Sequence, residues 1–158
     1  MNLETAIRKA FDDAYVKELL KKGYFLGSVF ATTKNLDKEV SSWIFHFFNS
    51  KKKTIVDCFV NKEVAIGEET PAISELKELK IDKIAVTIEK ALAIVKKKEK
   101  SKIANVLVTL HLKEKNLVWT INVITVGMIA NTYDIDSKTG KILEEKSTSL
   151  MSTITGKK

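Results

Sequence analysis

Trp43 and Trp119 each open an alternating strand, and each strand follows an amphipathic helix in the same order. A chain that repeats a helix and the strands after it has two apolar stripes and two apolar sheet faces to bury, and the economical solution is helices layered on antiparallel sheet. The repeat can be followed residue by residue. Trp43 meets Trp119 at an offset of 119 − 43 = 76, and Phe45 with Ile121 and Phe47 with Val123 keep that offset. One residue fewer in the next turn makes the offset 75, so that Cys58 meets Tyr133, Val60 meets Ile135 and Asn61 meets Asp136.

The first half reads as one helix over residues 3–22, capped by Asn2 and stopped by Gly23, with Leu3, Ile7, Ala10, Phe11 and Ala14 on one side. Strands follow over 24–33, 40–49 and 54–61, with Ser50 to Lys53 as a turn. The lone proline, in Glu68-Glu69-Thr70-Pro71, marks an internal boundary leading to a charged segment, 74–80, that reads as a helical turn. Asp82 is then expected to cap a second helix carrying Ile84, Ile88, Ala91, Leu92 and Val95 as a single stripe, ended by Lys96, Lys97 and Lys98 against the helix dipole. Four strands follow over 103–112, 117–125, 128–136 and 141–148. The expected fold is α+β: two α-β-β-β(-β) repeats, each a helix on an antiparallel sheet, spanning 1–67 and 81–158 with a linker at 68–80.

Charge enters the argument through its kind. The net charge of +7 comes almost entirely from lysine, with Arg8 the only arginine among 27 basic residues. Lysine lacks the bidentate fork used to read bases, so this charge suits nonspecific attraction to polyanions at most. The chain has no glutamine and abundant lysine and glutamate, a thermophile-like composition. Cys58 is the only cysteine, which excludes an intrachain disulfide and multi-thiolate metal sites. The polar start of the sequence and the interrupted apolar stretch Leu117 to Ala130 give no secretion signal or membrane span, so the expected setting is cytoplasmic, away from membrane.

Leu79-Lys80-Ile81-Asp82 leading into Ile84, Ile88, Ala91 and Leu92, and Val118-Trp119-Thr120-Ile121 through Tyr133-Asp134-Ile135-Asp136-Ser137-Lys138-Thr139-Gly140-Lys141-Ile142-Leu143, resemble the PepSY family of small α/β modules. The resemblance covers residues 79–145, with a fainter copy in 3–61. It implies a helix packed on an antiparallel meander and a noncatalytic inhibitory or regulatory role beside peptidases or in cell-envelope proteins. The sequence departs from that setting in showing no signal, anchor or peptidase domain, and its first half has Asn61-Lys62-Glu63-Val64 where the second has the Thr-Gly turn.

Asp134, Asp136 and Glu145 fall at calcium-loop positions, but Lys138 and Thr139 occupy places that need an oxygen ligand and a glycine; a hairpin turn with Gly140 at positive φ and Asp136 bonding the turn backbone is expected instead. His46 and His111 lie on the less buried strand face, with no carboxylate at ligand spacing along the chain, and Cys58 reads as a small core residue. No catalytic, cofactor or metal residue is assigned. The strand Trp43 to Phe48 is apolar on both faces, so Ile44, His46 and Phe48 form a candidate interface, covered by the other repeat, a second copy or a ligand. Lys51, Lys52, Lys53, Lys96, Lys97 and Lys98 are candidate polyanion contacts. The expected function is a noncatalytic binding or regulatory module acting on an unidentified protein partner, with homodimerisation an option; nonspecific nucleic-acid binding and apolar-ligand carriage are the alternatives.

Overall fold

The first helical stretch breaks where its sequence supplies a second cap. In the computed structural model, which describes residues 1–151, α1 (Leu3–Asp12) ends at Asp13, whose carboxylate accepts the backbone N–H groups of Tyr15 and Val16 and so starts α2 (Ala14–Lys21). Asn2 caps α1 through the N–H of Thr5, as expected, and Gly23 at φ +92° turns the chain out of α2. The Asp13 carboxylate competes for amides that a continuous helix would bond to its own carbonyls, so the apolar stripe read as one helix is divided over two.

Eight strands follow: β1 (Phe25–Thr33), β2 (Trp43–Asn49), β3 (Thr54–Val60), β4 (Val64–Pro71), β5 (Ile103–Lys113), β6 (Asn116–Thr125), β7 (Ile129–Asp136) and β8 (Ile142–Ser149). They form one antiparallel sheet in the order β4-β3-β2-β1-β5-β6-β7-β8. The described residues are thus α+β, with α1, α2 and a later helix over Ile88–Lys98 on an eight-stranded sheet. Each half of the chain runs outward from the centre as a meander, and the halves meet edge to edge where β1 pairs with β5, Val29 opposite Leu110.

The fourth strand was not expected. Val64–Pro71 is an edge strand, paired on one side only, and its Glu68, Glu69 and exposed proline end fit an edge that discourages further pairing. Alternation fails there because one face of an edge strand need not be apolar. The chain then passes Lys53, whose carbonyl accepts the N–H of Ala72, and crosses to the helix side, where Leu79 N–H bonds Leu26 O. The segment 74–80 is not helical; a 3₁₀ turn, Ile81–Lys83, comes after it. α3 (Ile88–Lys98) is capped by Thr87 rather than Asp82. The carbonyl of Ser137 takes the N–H groups of Ala85 and Val86 and holds those residues extended, delaying the helix. Residues 152–158 of the expected second unit lie outside the described residues.

One sheet face carries Trp43, Phe45, Phe47, Val29, Leu110, Trp119, Ile121 and Ile135, all essentially inaccessible, and the helices lie on it. Burial of each such side chain contributes about 1.5–3 kcal/mol. Phe11 of α1 meets Phe47 edge to face with centroids 5.9 Å apart. The register on this face is the same in both halves: Trp43 opposes Val60 and Phe45 opposes Cys58, as Trp119 opposes Ile135 and Ile121 opposes Tyr133.

Candidate functional site: the open face of the sheet

Strand alternation sends every second side chain to the face without helices. Cross-strand pairing there lines up one row over all eight strands: Ala65, Phe59, Ile44, Phe30, Thr109, Thr120, Asp134, Glu144. The row is apolar across the first half and polar across the second. Phe59 is 41% exposed, and Ile44 and Phe30 are half-buried. An aromatic left this open beside other apolar residues is unusual on a sheet with a fully packed opposite face.

A second row places Asp57, His46, Ser28 and His111 side by side on β3, β2, β1 and β5. His46 Nδ1 lies 2.7 Å from Asp57 Oδ1. His111 Nε2 lies 2.7 Å from Thr120 Oγ1, which donates to Asp134 Oδ1, also at 2.7 Å. Lys113 Nζ reaches Asp134 at 2.6 Å and Glu144 at 2.9 Å. Burial pushes the Asp134 carboxyl up, but hydrogen bonds from Lys113 and Thr120 outweigh it and hold the group below its ordinary value. Lys113 is correspondingly raised by its bonds to Asp134 and Glu144. Burial lowers the His111 imidazole, with Asp134 opposing. Sequence spacing missed these partners because Asp57 and Asp134 come from across hairpins, 11 residues from His46 and 14 from Thr120.

Of the candidate interface residues, Ile44 and His46 face outward on β2, whereas Phe48 is fully buried against Phe25 with centroids 5.6 Å apart. Phe48 therefore offers no surface. The other half of the chain does not cover this face, because it extends the sheet sideways. Phe59, not singled out in the sequence, is more exposed than Ile44 and Phe30; its place on the same strand face as Asp57, alternating with Val56, Cys58 and Val60, was the available signal.

The two lysine groups lie at opposite ends of β1. The turn Lys51–Lys53 sits beyond Phe48, which pairs with Phe25 at the start of that strand, whereas Lys96 reaches Asp37 in the loop after Thr33 at its end, some 30 Å of strand away. Lys52 is 3.9 Å from Glu69, Lys53 2.5 Å from Glu75, Lys96 2.5 Å from Asp37 and Lys98 3.1 Å from Glu145, while Lys51 and Lys97 have no such partner among the described residues. No single basic patch unites the six.

Cys58 is buried on the helix side of the sheet; desolvation, then Asp13, pushes its thiol up to about 12, so it stays protonated. Asp136 accepts the N–H groups of Lys138 and Thr139, and Gly140 has φ +78°, giving the expected hairpin turn. Among the described residues no group of three or more His, Cys, Asp or Glu is placed to hold a metal, and no helix is long and apolar enough to cross a membrane.

Residues 85–146, which comprise α3 and β5 to β7 with the first half of β8, match the PepSY family, described as the peptidase propeptide and YPEB domain. No curated protein matches the chain. The crystal structure of a "putative lipoprotein" from Clostridium difficile 630 is similar over 88% of this chain and 93% of its own, with a TM-score of 0.58 at 15% identity, which shows the fold. The helix and meander of the second half, residues 85–146, match the PepSY family model and sit in a wider eight-stranded sheet.

Proposed function

We propose that the protein is a noncatalytic binding or regulatory module that contacts a protein partner through the open sheet face. The observation that carries this reading is the half-exposed row Phe59, Ile44 and Phe30 beside the His46–Asp57 pair, on a face no helix covers. The PepSY match supports it, since such domains are typically propeptide or regulatory modules. We read the chain as two units of one ancestral design. In support, both indoles donate to the carbonyl of the residue just before a helix cap, Trp43 Nε1 to Met1 O at 3.1 Å and Trp119 Nε1 to Val86 O at 2.9 Å.

The test is affinity capture of partner proteins by the wild type against Ile44→Glu and Phe59→Glu, with native mass measured alongside. A partner retained by the wild type and lost by both folded variants supports the reading. Capture unchanged by both variants overturns it, and a wild-type dimer abolished by them identifies a second copy as the partner.

A further inference from the structure

On the opposite side of the sheet, two adjoining clefts of about 700 and 650 Å³ run between α1 and the crossover segment 78–84 and share Ile7, Ile81 and Asp82. Their apolar lining includes Ile7, Phe11, Ile81 and Ile84, each only half-buried, and the buried Trp119 in the second cleft. Among the described lining residues four carboxylates rim them, Glu4, Glu78, Asp82 and Glu89, against one lysine, Lys80.

Four carboxylates gathered in one groove give it a local negative excess on a chain with 27 basic residues against 20 acidic. Elsewhere lysines pair with Glu18, Asp37, Glu69, Glu75, Asp134, Glu144 and Glu145, and the carboxylates without a partner among the described residues, Asp12, Glu63, Glu68 and Glu114, line neither cleft. Among the described residues none of the four rim carboxylates has an ion-pair or hydrogen-bond partner. Glu4 and Glu89 complement the dipoles of the helices they begin. Glu78 lies outside any helix and Asp82 lies in a 3₁₀ turn too short for a comparable dipole, so their unpaired charge serves no such purpose.

We infer that this groove binds a basic amphipathic peptide segment of a partner protein, its apolar side chains on Ile7, Ile81 and Ile84 and its lysine or arginine side chains on Glu78, Asp82 and the helix-start glutamates. An apolar floor supplies affinity and an anionic rim selects the sign of the ligand and speeds its approach. The assignment is independent of the open-face reading, because the two surfaces lie on opposite sides of the sheet.

The probe is a short fluorescein-labelled peptide of leucine and lysine with the leucines at helical spacing, titrated by anisotropy into the full chain; a matched peptide with glutamate for lysine is the control. Binding of the basic peptide alone, weakened about tenfold or more in Glu78→Lys/Asp82→Lys and by added salt, is expected. Both positions are exposed and unpartnered, and an unchanged melting curve shows that the variant folds. Phe59→Glu should bind as the wild type does. Equal binding of both peptides, affinity indifferent to the charge reversal, or loss of binding in Phe59→Glu would overturn the assignment.

Discussion

The indole rings of Trp43 and Trp119 meet with centroids 6.4 Å apart over the two central strands, each ring reaching inward from a strand one removed from the β1–β5 junction. The contact joins the two halves of the core, and each ring is also tied by its N–H to the chain entering its own helix. Removing either N–H leaves a carbonyl unpaired beneath the helix start. Trp43→Phe and Trp119→Phe are each expected to cost about 1–3 kcal/mol in chemical denaturation. Because the rings touch, the double variant should depart from additivity; strict additivity would separate the two halves energetically.

Gly27 lies in the bulge of β1, where an added Cβ would fall 2.7 Å from Leu76 Cδ1 and 2.8 Å from Leu76 Cβ. Gly27→Ala should lose about 1–3 kcal/mol through overpacking. Adding Leu76→Ala should recover only part of that loss, since it removes the Cδ1 contact but keeps Leu76 Cβ 2.8 Å away; thermal melts of the single and double variants measure the recovery.

Burial lowers His111 below the ordinary imidazole value of 6.5. The unfolded chain then takes up a proton at a higher pH than the folded one, so stability is fully present above the ordinary value and declines as pH falls toward the folded-state value. The groups facing the ring are Asp134, which opposes the shift, and Lys113, which adds to it. Urea unfolding over this range should show a slope that His111→Asn reduces.

Asp134 is 6% exposed and depends on Lys113 and Thr120 to remain charged. Lys113→Met should destabilise by about 1–3 kcal/mol at neutral pH, by leaving a buried charge short of a donor. The loss should shrink in acid as the carboxyl of the variant protonates, and the pH dependence of unfolding checks this.

Much of the architecture was legible in the residues. Asn2, Gly23 and Gly140 behave as local chemistry dictates, and seven strands fall near their alternating runs because alternation reports a half-buried strand directly. The edge strand Val64–Pro71 was hidden, since only backbone pairing to β3 defines it. Thr87 displaced Asp82 as the cap because Ser137, fifty residues downstream of Thr87, captures the intervening amides. The open face was legible as a both-sides-apolar strand at Ile44, but the burial of Phe48 depends on Phe25 from a neighbouring strand, and the His46–Asp57 pair on hairpin register. Long-range register is what a single sequence conceals.

The claim that a protein docks on the open face is tested most directly by placing the photo-crosslinker benzoylphenylalanine at position 59 and irradiating cells that produce the protein. The exposed aromatic site accepts the substitution with little effect on stability. A discrete adduct from position 59, absent when the crosslinker is at the solvent-exposed position 97, is the predicted result; adducts from position 59 no different from those at 97 would contradict it.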